Sequence, residues 1–187
     1  MTSEPASLNL GLIGNCAISA LVDARGAIVW CCMPRFDGDP IFHSLLDSSN
    51  GLADDGVLRV ELEGFARSEQ AYDAGTAILR TRLYDGAGEG IEIVDFCPRF
   101  FTRDRPFRPA QLVRRVRPLV GHPRVRFVVR PRGEWGSVVP EVTRGSNHLR
   151  FVLPSGTLRL NTDAPLTYLL DSTWTSLYGP VSLMLGP

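Results

Sequence analysis

Apolar residues recur along the chain in short runs, many alternating with polar ones, and glycine or proline separates most neighbouring runs. Residues 17–22 and 27–32 flank Asp23-Ala24-Arg25-Gly26, where Gly26 can take the positive φ of a tight turn, so the pattern predicts a β-hairpin. Residues 57–62 set Val and Leu against Arg and Glu, as a half-buried strand does. Residues 76–84 and 91–96 flank the glycine-rich stretch 85–90 and predict a second hairpin. Residues 112–116 and 124–129 predict a third around 118–123, and 148–153 with 157–160 a fourth around Pro154-Ser155-Gly156. The last strands are expected at 166–170 and 181–185. Only Pro40 to Leu46 reads as helical, with Asp39 as its N-cap and Pro40 in its first turn. The fold class expected is therefore all-β: an antiparallel β-sandwich of about a dozen strands with at most one or two short helices. No repeat or linker divides the chain, which predicts a single domain over residues 1–187.

Composition narrows the chemistry. Of 187 residues 44% are apolar and 21% charged, which sets aside disordered, collagen-like and coiled-coil classes. The 18 Gly and 14 Pro suit many short elements joined by turns better than a helical bundle. Every basic residue is Arg. Without lysine there is no Schiff base, no phosphate-binding Walker lysine and no amine general base. Cys16, Cys31, Cys32 and Cys97 form no C-x-x-C pair, and His43, His122 and His148 lie far from them, so no metal site is expected. Cys31 and Cys32 read as buried free thiols, with a vicinal disulfide as the alternative. Met1 to Leu10 carries Glu4 and no basic residue, unlike a secretory signal, and the longest apolar run, 27–33, is too short to span a bilayer. These features predict a cytoplasmic protein with no membrane partner and no cofactor.

The formal net charge of zero hides an asymmetry. Residues 1–98 hold 6 Arg against 15 acids, residues 99–132 hold 11 Arg against Asp104 alone, and residues 133–187 hold 3 Arg against 4 acids. A basic block of that density raises nucleic-acid binding as one reading. The other, which the zero net charge favours, places these arginines on solvent faces of strands where they meet the acidic half of the same domain.

Few residues carry reactive chemistry. The stretch 86–90 reads G-x-G-x-G between two strands, a hairpin loop and not a dinucleotide fingerprint. No G-x-S-x-G occurs, and His43 and His122 sit in contexts that suggest packing or surface roles. Asp37 and Asp39 lack the further oxygen ligands of a calcium loop and are read as turn and capping residues. The most informative segment is Leu12 to Phe42. It brings Trp30, Arg35, Phe36 and Asp37 within eight residues, with Asp39 closing the turn. An aromatic face, a planar cation and a carboxylate are the means by which sugars are held, so these five residues are the candidate substrate-binding set. The structural alternative pairs Arg35 with Asp37 and buries Trp30 in the core.

This segment resembles the N-terminal domain of bacterial glycoside hydrolase family 15 proteins, the glucoamylase and trehalase-like group. The matching residues are Ile13-Gly14-Asn15, Ala20-Leu21-Val22, Asp23 to Gly26, Trp30, Cys32, Pro34 to Asp37 and Phe42. Val94-Asp95-Phe96-Cys97-Pro98-Arg99, Arg130-Pro131-Arg132 and Trp135-Gly136 extend the likeness, in order, across most of residues 8–136. The resemblance implies a β-supersandwich that precedes an (α/α)6 barrel. In that family the barrel supplies two catalytic Glu residues, an acid and a base that invert an α-glucosidic bond. None of the eight Glu here (4, 61, 63, 69, 89, 92, 134, 141) matches those positions, and the barrel is absent from this chain, which stops where the family continues into linker and helices. The implied role is an accessory domain that packs on the barrel and lends the loop around Arg35 to Asp39 to the sugar site, without catalytic residues of its own. The barrel of the same polypeptide and an α-glucoside are then its partners, and an exposed docking face predicts self-association of the isolated chain. A free-standing carbohydrate-binding sandwich is the alternative, and nucleic-acid binding through 99–132 the more distant one.

Overall fold

The computed structural model describes residues 8–46 and 55–187. Two antiparallel sheets face each other across one apolar core. The first is built from β1 (Gly11–Gly14), β2 (Ser19–Val22), β3 (Ile28–Cys32), β4 (Pro40–Phe42) and β5 (Val57–Leu62). The N-terminal half also supplies β6 (Phe65–Tyr72), β7 (Leu79–Asp85) and β8 (Gly90–Phe96) to the second sheet. A separate ribbon, β9 (Phe100–Thr102) and β10 (Arg105–Phe107), follows. Then come β11 (Leu112–Val120), β12 (Arg124–Arg130), β13 (Glu141–Arg144), β14 (His148–Leu153) and β15 (Gly156–Thr162). A five-residue helix α1 (Leu166–Leu170) leads to β16 (Thr175–Ser176) and β17 (Val181–Gly186). The first sheet has the order β1-β2-β3-β5-β12-β16 with β4 also on β3, and the second runs β13-β14-β15-β17-β11-β8-β7-β6.

The all-β sandwich is as expected, but with more strands. β1, β4, β6, β9, β10, β13 and β16 are too short or too polar to show apolar alternation. β6 is the clearest case: Phe65-Ala66-Arg67-Ser68-Glu69-Gln70-Ala71-Tyr72 is mostly exposed, an edge strand held by its ladder to β7 and by Arg67 over the Tyr84 ring at 3.9 Å. The hairpins at Asp23–Gly26, 85–90 and 154–156 form as predicted. In the first two, Asp23 and Asp85 each accept two backbone N–H bonds that close the turn.

Three expectations are corrected. Residues 40–46 are not a helix: Pro40–Phe42 is β4, which takes the part of β3 that β5 leaves unpaired, and only a 3-10 turn, Ser44–Leu46, follows. Residues 166–170 are not a strand but α1, opened by Pro165 at φ −56°, with Leu166, Leu169 and Leu170 on one face and Leu169 buried. Such a short apolar run fits either period. Finally, 112–116 and 124–129 do not pair as a hairpin. β11 joins β8 and β17 in the second sheet, whereas β12 joins β5 and β16 in the first. Leu112 and Val116 therefore enter the common core from the second sheet, and Val125, Phe127 and Val129 from the first.

The Arg-rich block is divided by this crossing between sheets. Arg117 joins Arg80 and Arg82 around Glu92, Arg126 pairs with Glu61, Arg124 with Glu63 and Arg132 with Asp55. Those pairs are the complementarity of acidic and basic halves that the charge pattern suggested. Arg114 departs from the solvent-facing expectation, being fully buried beside the equally buried Asp95. Its Nε and Nη2 donate to the two Asp95 oxygens at 2.7 and 2.9 Å. Nη1 donates to the Leu58 carbonyl at 3.1 Å and Nη2 to the Gly26 carbonyl at 2.6 Å, both in the opposite sheet. Gly26 has φ +79°, and a Cβ there would lie 3.1 Å from Ile93 Cδ1, so turn geometry and sheet contact both call for glycine.

Removing one member of the buried pair strands the other charge. Asp95→Ala or Arg114→Ala is expected to cost about 3–5 kcal/mol in urea unfolding. Asp95→Leu combined with Arg114→Met should recover only part of this, because the Gly26 and Leu58 carbonyls stay unanswered.

Glu92 titrates against the opposite balance. Burial pushes its carboxyl up, but hydrogen bonds from Arg117 and Arg82 and the charges of Arg117 and Arg80 outweigh that and hold it below the ordinary carboxylate value. Its stabilisation is then present above the unfolded value of about 4.3 and lost as pH falls through the lowered native one. Glu92→Gln should unfold at lower urea than the parent at pH 7, with the gap closing below about pH 4.

Candidate functional site

The strand registers bring several loops to one end of the sandwich. Gly14 pairs with Ser19 and Ala20 with Cys31, so the turn after β1 lies beside the loop after β3. β4 leads from that loop, and Arg132 N–H donates to the Ile41 carbonyl, which brings residues 133–138 to the same place. All five candidate residues therefore lie at this end, on β3 or in the loop after it.

Arg35 and Asp37 form the pair that the structural alternative named. Arg35 Nε and Nη2 donate to Asp37 Oδ1 and Oδ2, both at 2.8 Å, in an exposed two-pronged fork. The hydrogen bonds from Arg35 hold the Asp37 carboxyl below its usual range and raise the guanidinium in return. Phe36 between them is 65% exposed and edges a hollow of about 380 Å³ with Leu12, Cys16, Ile18 and Ala77. Trp30 is half-buried, its ring centroid 6.2 Å from that of Trp135 at a tilt of 54°.

Asp39 does not cap a helix. Its carboxylate accepts the backbone N–H of Glu134 and, at 2.8 Å, that of Trp135. These donors belong to three successive left-handed residues: Glu134 (φ 48°), Trp135 (φ 58°) and Gly136 (φ 98°). Two of them are not glycine, a conformation that persists only where the surroundings impose it. Behind the loop lies buried His43, and a Cβ on Gly136 would come within 2.8 Å of its ring. Pinned in this way, Trp135 presents an indole that is 68% exposed. Trp135 is the residue missing from the sequence-derived set. Its signal was the Gly133-Glu134-Trp135-Gly136 string, but its link to Asp39 spans 96 positions and no periodicity reveals it.

The site offers two indole rings, the Phe36 ring and a charged fork, features that suit binding of a ring with hydroxyl groups. Its carboxylates are committed: Asp37 to Arg35, Asp39 to backbone N–H groups. The buried thiols are raised above their ordinary value. Burial raises Cys31 and Cys32, Asp39 adds to the rise at Cys32, and burial with Asp95 pushes Cys97 up to about 12. Among the described residues no three His, Cys, Asp or Glu side chains gather as a metal site requires.

Comparison with known proteins gives a consistent result. The family described as "Trehalase-like, N-terminal" matches residues 4–164. Trehalase 1 of Sulfolobus acidocaldarius is 32% identical over 171 residues, covering 90% of this chain and 27% of that protein. Trehalase 2 of the same organism is 31% identical over 91 residues, 49% of this chain and 14% of its own length. The chain thus spans about a quarter or less of the curated relatives it matches. No solved structure gives a significant match.

Asp39→Ala is expected to release the 133–136 loop at a cost of about 1–3 kcal/mol. The exciton couplet of the Trp30–Trp135 pair in circular dichroism should disappear, while amide exchange in β5 and β12 stays unchanged.

Proposed function

The chain belongs to the trehalase-like N-terminal domain family, and we propose that it serves as the accessory β-sandwich of an inverting α-glucosidic hydrolase of the glucoamylase and trehalase-like group. In this reading it packs on a C-terminal (α/α)6 catalytic barrel of the same polypeptide. The loop Arg35 to Asp39, with Trp30 and Trp135, forms part of the rim of the sugar site. The acid and base that cleave the α-glucosidic bond belong to the barrel.

One observation carries the reading: Asp39 ties the loop after β3 to a strained loop 95 positions away, and the product of that tie is an exposed indole. A fold that only needed to close its core would gain nothing from holding Trp135 in water at the cost of two left-handed non-glycine residues. An indole face can stack on the C–H face of a pyranose, and the Arg35–Asp37 fork can donate to and accept from its hydroxyls. Such contacts to parts of the substrate away from the scissile bond act on binding more than on the chemical step.

In the polypeptide that contains the barrel, Trp135→Ala is expected to raise KM for trehalose about tenfold with kcat changed less than threefold, as the loss of about 1–1.5 kcal/mol of stacking requires. The 187-residue chain alone should not release glucose from trehalose or maltose. If it instead bound α-glucan oligomers at micromolar Kd in calorimetry without the barrel, the free-standing binding module would be the better account.

A further inference from the structure

The ribbon β9–β10 belongs to neither sheet. Phe100 pairs with Phe107 and their rings pack on one face, centroids 5.1 Å apart at a tilt of 57°, whereas Phe101, 72% exposed, lies opposite Pro106 on the other. At its tip Arg103 and Asp104 both have positive φ, the type I′ geometry that suits a twisted ribbon. Arg99, Arg103, Arg105 and Arg108 are exposed and make no ion pair among the described residues, in contrast to the paired arginines of β11 and β12. A two-stranded ribbon with an aromatic group on each face has little reason to stand in water by itself.

Its base is nevertheless rigidly built. Asn15, 2% exposed, donates from Nδ2 to the carbonyls of Pro98 and Pro109, both at 2.8 Å, and so clamps the two roots of the ribbon. Its Oδ1 accepts the N–H groups of Ala17 and Ile18, which makes the turn after β1 the foundation of the clamp. The clamped ribbon therefore projects from the end of the sandwich that carries the candidate site. The last strand arrives there too: Leu185 pairs with Leu112, and a Cβ on Gly186 would meet Gln111 and the Ala110 carbonyl. In a protein whose N-terminal part is this domain, the segment that follows begins next to the ribbon's root.

We propose that the ribbon is a docking arm, which seats Phe101 and the tilted Phe100–Phe107 pair in an apolar groove with an acidic rim on the C-terminal catalytic domain of the same polypeptide. The proposal rests on the accessory-domain reading above. Position selects this occupant over a second copy of the chain: the last strand ends beside the ribbon's root, so a domain that follows it is tethered within reach of the arm. The arm also explains why a buried asparagine, costly unless all its hydrogen bonds are made, stands in the turn after β1.

The test is hydrogen exchange of the segment 99–108, compared between the polypeptide that contains the catalytic domain and the 187-residue chain, with β5 as internal reference. At least tenfold slower exchange in the longer polypeptide, reversed by Phe101→Asp with Phe107→Asp and weakened by Arg103→Glu with Arg105→Glu, is the expected result. Equal exchange in both overturns the arm. Protection already present in the 187-residue chain, together with a concentration-dependent dimer in sedimentation, also overturns it, because the occupant is then a second copy. Trehalose hydrolysis is measured in parallel: its absence with a protected arm counts against the glycosidase reading alone, and its presence with an unprotected arm counts against the arm alone.

Discussion

The sandwich is organised around one ionised pair at its centre. Arg114 reaches from the second sheet with four hydrogen bonds, two to Asp95 beside it and two to the carbonyls of Gly26 and Leu58 in the first sheet. Burying two charges costs several kcal/mol before any attraction is counted, so the attraction between Arg114 and Asp95 does not by itself explain the pair. What an apolar pair could not do is answer those two carbonyls. β3 and β5 are joined only at Ile28 and Leu58, so the backbone near the β2–β3 turn has polar groups without strand partners. A guanidinium, with five donors in one plane, satisfies a carboxylate and two carbonyls at once and thereby sets the spacing and register of the two sheets.

The same device recurs at the functional end of the molecule with smaller groups. Asp39 gathers the N–H groups of Glu134 and Trp135, and Asn15 gathers the carbonyls of Pro98 and Pro109. In each case one polar side chain from the first forty residues holds a segment some eighty or more positions later. Each held segment ends in exposed aromatic groups, Trp135 in one and the Phe100–Phe107 ribbon in the other. The core strands thus supply a frame, and two polar residues, Asp39 and Asn15, spend hydrogen bonds on placing what the frame presents. Loops positioned by a scaffold in this manner are where binding surfaces usually lie.

How far the residues themselves reveal this differs by feature. The hairpins at 23–26, 85–90 and 154–156 are legible because turn chemistry and alternation are local. The run 166–170 and the segment 40–46 are ambiguous locally and were decided by their neighbours: α1 packs on β12, and β4 fills an open stretch of β3. At the candidate site, Trp30, Arg35, Phe36, Asp37 and Asp39 stand close together in the chain and could be grouped by eye. Trp135 could not, since its membership depends on a bond between residues 39 and 135. The eleven arginines of 99–132 read as one block, yet the crossing from β11 to β12 sends them to two sheets, one to the core and four to the arm region.

The sequence by itself determined the strand-rich class, the inward and outward faces of the longer strands, the absence of lysine chemistry and the likeness to trehalase-like N-terminal domains. All of these follow from residue identity and a period of two. Only the tertiary structure decided which sheet each strand joins, that Arg114 lies in the core while Arg103 lies in water, and that Asp39 serves a distant loop. The physical reason is that alternation specifies a face and carries no information about a partner. Partner choice is settled by long-range closure, in which buried polar groups must find each other across the fold.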